Sequence, residues 1–391
     1  MNHRIPLLLA CLSCMGCGEV VSDPPERQHW VTKLGAPGGD AAGSPMIEGT
    51  DILVTLYSNN EQTLAGSKLG TGGGLVRLDS SGRLQSAKSL PSPGGLTRVP
   101  GGDWLFIGDE SDAGVKAHPF VRRLDPSWKQ LWSWGEHLGP TGNVSNAAAD
   151  AQGNVYVLSE HDYDMALTTK LDTSGTQIWE HAATGFHSYP ISVDLAGNLT
   201  YLQVHPVNSP GSQVVVRRDP KGEISFQVER QFQDIKEVVT DDFGRTFVVS
   251  ECTSEENPFD PDMCLWSFDA NGGELWQQRL HDPALGFEHQ GTSVRGERLL
   301  LAVVPTLTPP PEENRIGQGL VLFELDTNTG EVRLRREIAT AGAKFVRAPV
   351  LLDGDVVLSG SFDGQVDFGV GTLDSDTGGD VFVAKLPWDS P

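Results

Sequence analysis

Five cysteines are the most reactive side chains in this 391-residue chain, and they fall into two groups. Cys11, Cys14 and Cys17 crowd the N-terminus, while Cys252 and Cys264 stand in the body. A thiolate metal site needs further soft ligands close by, and none flanks the second pair. Eleven residues separate Cys252 from Cys264, at facing ends of one expected hairpin. A disulfide closing that loop is the chemistry to expect. A second chemistry comes from acidic loops. Asp374, Asp376 and Asp380 lie among glycines at i, i+2 and i+6. Several carboxylate oxygens on a bent loop suit calcium, the one cofactor these residues suggest. Glu255, Glu256, Asp260 and Asp262 form a similar loop. Neither loop completes the twelve-residue calcium pattern with its terminal Glu, so a solvated turn is the competing reading of both.

Nothing marks a catalytic residue. There is no Gly-x-Ser-x-Gly nucleophile turn. His281 and His289 flank Gly286-Phe287-Glu288 without a third ligand at useful spacing, and they read as loop residues. Gly70-Thr71-Gly72-Gly73-Gly74 lacks the Lys and the following helix of a phosphate-binding loop, so it reads as a hairpin turn.

The elements that would hold such residues follow from a repeated phrase. An apolar strand ends in Leu-Asp or its equivalent, a Gly-bearing turn follows, and a second strand often carries Trp. Copies surround Asp79, Asp125, Asp172, Asp219, Asp269 and Asp326, and a last one, FVAKLP at 382–387, arrives as the chain ends. From Asp79 the steps between these aspartates are 46, 47, 47, 50 and 57 residues. The excess sits in irregular stretches, at 254–262 and in the Pro-rich 305–319. A shorter D-x-x-G phrase recurs at Asp150–Gly153, Asp194–Gly197 and Asp241–Gly244, and shortened at Asp353-Gly354. Val99-Pro100-Gly101 takes its place in the second unit. Each unit resolves into four short strands. The third reads as 144–151, 154–161, 166–172 and 177–183. A period of this size with four strands per unit predicts an all-β propeller of four-stranded antiparallel blades.

The ends complete the count. The last unit has three strands, 346–352, 355–361 and 380–386, and lacks a fourth. The orphan segment 29–35, HWVTKLG, looks like the fourth strand of another unit. Pairing the two would cover both exposed edges and close a ring of seven blades. Trp132, Trp179 and Trp276 recur at one position of the fourth strand, with Trp30 equivalent. Packing between blades is the expected role of these rings. The Asp of each Leu-Asp turn is expected to bond the backbone of its own turn.

Composition bears on address. With 29 basic and 52 acidic residues the net charge is −23, which repels nucleic acid and suits a soluble, self-repelling monomer. Arg4, a short apolar run over 5–15 and small residues at 16 and 18 read as an export signal, too short to span a membrane as a helix. The small residue before a cysteine resembles the lipobox of bacterial lipoproteins. That resemblance implies cleavage before the cysteine and its lipidation. Cys17 leaves the fullest apolar run before it; Cys14 and Cys11 are the alternatives, as is a plain secretion signal. The expected layout is a signal over 1–16, a tether over 17–27 and a propeller over 28–391.

The phrase LDTSGTQIW at 171–179 is similar to SBBP-type beta-propeller repeats of secreted bacterial proteins and to pyrroloquinoline-quinone-like repeats. Residues 356–386 resemble a repeat of exported myxobacterial proteins, in which a glycine-rich hairpin leads into a strand like DVFVAKL. The resemblance implies a propeller lipoprotein held at the outer membrane or cell surface. Its expected role is non-enzymatic binding of an envelope protein or ligand through the loops at 254–262 and 305–315. Alternatives are a secreted hydrolase or lyase with a site in the axial funnel, and a quinone-binding dehydrogenase-like protein. The quinoprotein pattern departs here, because the body of the chain has no adjacent cysteines.

Overall fold

The computed structural model describes residues 28–388 except 36–39, 59, 91–93, 111–117, 139–141, 162–164, 185–190, 205–212, 231, 233, 253–261, 283–285, 307–317, 342 and 376–378. Seven antiparallel sheets follow one another along the chain, the first six running from an innermost to an outermost strand in sequence order. Blades 1 to 6 span 41–89, 94–134, 143–184, 192–230, 234–280 and 286–341. Blade 7 is built from both ends. Its inner strands are Ala343–Val346, Val350–Leu352, Asp355–Phe362 and Asp380–Pro387, and its outermost is Trp30–Leu34. The closure register runs from Trp30 opposite Lys385 to Leu34 opposite Val381. The expected seven-bladed ring is the ring observed. One difference is local: the innermost strand expected as 346–352 is split at Arg347-Ala348-Pro349, because proline has no N–H to donate to a ladder.

Two small hairpins were not legible as separate elements. Gln62–Leu64 pairs with Ser67–Leu69 inside blade 1, and Gln365–Asp367 pairs with Thr372–Asp374 inside blade 7. The glycines after the first hairpin form the expected turn. Gly73 is required there, since a Cβ would lie 1.8 Å from the Leu56 carbonyl oxygen and its φ is +93°.

The turn aspartates behave as their spacing implies. Asp172 Oδ1 accepts from the Ser174 N–H at 2.8 Å and the Thr176 N–H at 2.9 Å. Asp79, Asp125, Asp219 and Asp269 repeat this arrangement, and Asp326, in a turn one residue longer, accepts from the Asn328 and Thr329 N–H groups. Hydroxyl donors strengthen three copies. Ser81, Ser127 and Ser174 hold the carboxyl groups of Asp79, Asp125 and Asp172 below the usual carboxylate range. A folded-state pKa below the unfolded one stabilises at pH above the unfolded value. That stability is lost as pH falls through about 3.8 toward the folded value. The melting temperature should therefore drop below that pH. The triple variant D79N/D125N/D172N should show a shallower acid limb in thermal melts.

Between blades, one aromatic ring sits at every junction. Trp30, Trp132, Trp179 and Trp276 each donate the indole N–H across to the next blade's turn. Their acceptors are the carbonyls of Ser80, Thr173, Pro220 and Thr327, at 2.9–3.1 Å. Each acceptor is the residue after the turn aspartate. The ring lies on the turn glycine: a Cβ on Gly82, Gly175 or Gly330 would strike Trp30, Trp132 or Trp276. Phe226 does the same to Gly272 between blades 4 and 5. Between blades 6 and 7, Trp388 from the chain's end is buried in the cluster that also contacts Leu334, the residue at the Trp position of blade 6. Between blades 1 and 2 the Trp position is Ser86, and the ring comes from Trp128 in the turn of blade 2.

Candidate functional site

The antiparallel blades give the disc two unlike faces. The connections between first and second strands and between third and fourth strands emerge on one face. Most of these are tight Asp-Gly turns, closed by their own hydrogen bonds. The connections between second and third strands emerge on the other face. They hold both small hairpins. One face is thus the more uniform and the other the more individual, and loops that differ are where recognition is built.

The disulfide stands at the root of one such loop. Cys252 ends the second strand of blade 5 and Cys264 lies in its third, with Cα atoms 5.8 Å apart. It joins the two strands diagonally, since Cys252 faces Asp262 and Ser250 faces Cys264 in register. A loop of 12 residues closed this way is worth about 3 kcal/mol from chain entropy. The double variant C252S/C264S should lose about that much in a denaturant titration. Cleavage by a protease in 253–261 should rise before global unfolding does.

Of the acidic candidates, Asp374 and Asp380 both meet Lys33, which donates to the Asp374 carbonyl at 2.8 Å. Asp380 is fully buried, and its Oδ2 lies 2.8 Å from Lys33 Nζ of the closing strand. Asp374 Oδ1 accepts from Gln365 at 3.0 Å. Asp262, also buried, receives Arg279 at 2.5 Å and His281 at 2.9 Å. Asp376, Glu255, Glu256, Asp260, most of the loops 254–262 and 305–319, and Cys11, Cys14 and Cys17 lie outside the described residues. Among the described residues no three His, Cys, Asp or Glu side chains converge as a metal site.

His289 is not a loop residue. It lies in the innermost strand of blade 6, Gly286–Arg295, and faces Glu237 of blade 5 at 3.1 Å and Thr292 at 2.8 Å. A register shift after His289 explains the failed reading, because the extra residue there breaks the alternation that marks a strand. Around the axis, further bonds tie neighbouring inner strands. Ser192 accepts from the Thr240 N–H at 2.8 Å, and Arg347 donates to the Ala42 carbonyl at 2.7 Å. The bonds of Ser192, His289 to Glu237, and Arg347 tie blades 4 to 5, 5 to 6 and 7 to 1.

The repeat breaks most at the junction of blades 1 and 2. In blades 2, 3 and 4 the third-strand cation reaches the next blade: Arg123 donates to Gly153 O, Lys170 to Pro220 O and Arg217 to Gly244 O. Arg77, the equivalent residue of blade 1, turns back to Glu48 and Asp51 of its own blade. Arg98 of blade 2 takes the other oxygen of Glu48. With Ser86 too short to cross, a cavity of about 200 Å³ remains between the blades. Trp104 and Trp128 wall it, with ring centroids 5.8 Å apart and planes at 29°. Arg98 lies 4.1 Å from the Trp104 ring centroid, and Lys88 Nζ 4.6 Å from that of Trp128. Desolvation lowers the Lys88 pKa, with Asp125 opposing. Trp128 stands where the other turns have glycine, and its φ is +74°. A bulky side chain in the left-handed region stores strain of order 1–3 kcal/mol, and such strain clusters at functional sites. This site escaped the sequence reading. The signal was present, since the turn DPSW places Trp where DSSG, DTSG and DPKG place Gly.

No family model matches the chain, and no curated protein matches it in sequence. Solved structures do match in fold. The beta-propeller domain of the Trilobed protease from Pyrococcus furiosus superposes with a TM-score of 0.52 at 11% identity. That match covers 90% of this chain and 96% of the other. The Dos1 propeller superposes at 0.53 and 11% identity, covering 93% and 96%. The archaeal domain is described as having an open velcro topology, whereas here the terminal strands pair. At these identities the likeness is one of fold: the chain is a β-propeller repeat scaffold.

Proposed function

We propose that the protein is a non-enzymatic, lipid-anchored propeller of the bacterial cell envelope that holds a partner on its loop-bearing face. The observation that carries this reading is the inequality of the two faces. Most turns of the turn face repeat one Asp-Gly structure, with the turns at Val99 and Trp128 as departures, so it offers less to distinguish one partner from another. The opposite face carries two inserted hairpins and a loop whose root is stapled by Cys252–Cys264. A structural disulfide persists in oxidising compartments, which agrees with export. Cys17 supplies the lipid, and one acyl chain gives reversible membrane attachment unless a second contact adds to it.

Site-specific photo-crosslinking in native membranes tests the reading. A crosslinker at exposed Thr63 or Thr372 reports the loop face, and one at exposed Ser174 reports the turn face. Discrete adducts from the first two positions and none from the third are expected. Adducts from Ser174 alone, or none from either loop-face position, would sink the assignment. Labelling with radioactive palmitate should be lost in Cys17→Ser and kept in Cys14→Ser and Cys11→Ser.

A further inference from the structure

We infer that the cavity between blades 1 and 2 is a binding site for a small planar aromatic anion: a single- or fused-ring compound with a ring N–H or O–H donor and a carboxylate. The argument starts from the repeat. At four junctions an indole from the outermost strand enters this groove and donates to the carbonyl after the turn aspartate. In blade 1 that indole is replaced by Ser86, and the corresponding carbonyl is that of Pro126, which lines the cavity. The ring at this junction is Trp128, so the Pro126 carbonyl receives no indole N–H from the outermost strand of blade 1.

Two further features select the ligand. The walls are aromatic and strained rather than collapsed. Trp104 is 3% exposed, and the left-handed backbone at Trp128 places its half-buried indole over the groove. Trp104 is covered by Trp128 and Arg98, so the half-buried Trp128 ring is the flat surface that favours a flat ligand through offset stacking. The charge lining the cavity is then cationic on balance. Arg77, Arg98 and Lys88 line it with Glu48, whose two oxygens are taken by the two arginines, and Arg77 is paired with Asp51 as well, so the cation left to a ligand is Lys88. Among the described residues no carboxylate lies within ion-pair distance of Lys88, whose ammonium is 3.4 Å from the Ser127 carbonyl oxygen. The nearby Asp125 carboxylate is turned to the backbone of its own turn. Ser86, Lys88 and Pro126 are exposed, so the cavity opens to solvent where a ligand's carboxylate would meet Lys88. Binding would supply the hydrogen bond that the indole makes at the four junctions compared, and a counter-charge for Lys88.

Calorimetric titration of the folded protein with indole-3-acetate tests the site, with neutral 3-methylindole as comparison. Saturable one-to-one binding of the acid is expected, at least tenfold tighter than the neutral ring. A hydrogen bond to a charged group is worth about that factor. Lys88→Met, at an exposed position, should weaken the acid about tenfold and leave 3-methylindole unchanged. The double variant Ser86→Trp with Trp128→Gly rebuilds the arrangement of the other junctions. It should fold, melt no lower than the parent and lose the binding altogether. Failure of the parent to bind, or unchanged affinity in the double variant, would overturn the assignment. Should the double variant not fold, Lys88→Met decides: unchanged affinity for the acid excludes the site as described.

Discussion

Removing residues 28–35 should abolish cooperative thermal unfolding. The segment is the outermost strand of blade 7, and five residue pairs join it to the strand 380–387. Its loss bares that strand's edge, a row of unpaired backbone groups open to other chains. Trp30 leaves the ring contact with Gly82 and its bond to the Ser80 carbonyl, so the junction of blades 7 and 1 loses its tie. Leu34 leaves the cluster it shares with Val381 and Val383. Lys33 leaves Asp380, a carboxylate with no solvent exposure. The point variant Lys33→Met isolates that last effect and should cost about 3–5 kcal/mol, because a buried charge loses its counter-ion. Circular dichroism melts and size-exclusion chromatography read both variants. A deletion that melts at the parental temperature as a monomer would disprove closure by this strand.

Arg217→Met should cost a comparable amount, about 3–5 kcal/mol, from a single side chain in the middle of the chain. Arg217 and Asp194 are both almost wholly buried, at 2% and 3% side-chain exposure. The guanidinium binds Asp194 within blade 4 and the Gly244 carbonyl of blade 5, so one residue joins a pair within a blade to the next blade. Burial pushes its pKa down from the usual arginine value, and Asp194 opposes that shift. Methionine fills much of the volume but leaves Asp194 charged and unpaired. The second change Asp194→Asn should recover part of the loss, giving a coupling of about 1–3 kcal/mol in a double-mutant cycle. Strictly additive losses in urea titrations would show that the two residues do not act as a pair.

Much of the fold was legible because its signals are local. An Asp that accepts from N–H groups two and four residues ahead, with a Gly at positive φ between them, leaves a short fixed phrase. Asp172, Ser174, Gly175 and Thr176 are such a phrase. The strand 29–35 was legible for another reason: it carries Trp30 at the position held by Trp132, Trp179 and Trp276. Elements with shorter or broken alternation were not legible. The hairpin 62–69 has only three residues per strand, and the strand holding His289 is interrupted by a bulge. The junction of blades 1 and 2 shows a subtler failure. Aligned copies show Ser86 in the Trp column and Trp128 in the Gly column. Each reads alone as a surface variation. Only their meeting across blades shows an exchange of rings that leaves a cavity.

The sequence by itself determined the period, the four strands of a unit, the count of seven and the closing partner of the last blade. These depend on turn geometry and alternation within about 50 residues, which recur because each blade solves the same local problem. Tertiary structure alone decided which side chains meet between blades. It turned Arg77 inward to Glu48, placed Trp388 against blade 6, and gathered every inserted hairpin on one face. Those outcomes depend on contacts between separate copies of the repeat, where volume and charge must balance across a junction that no single copy encodes.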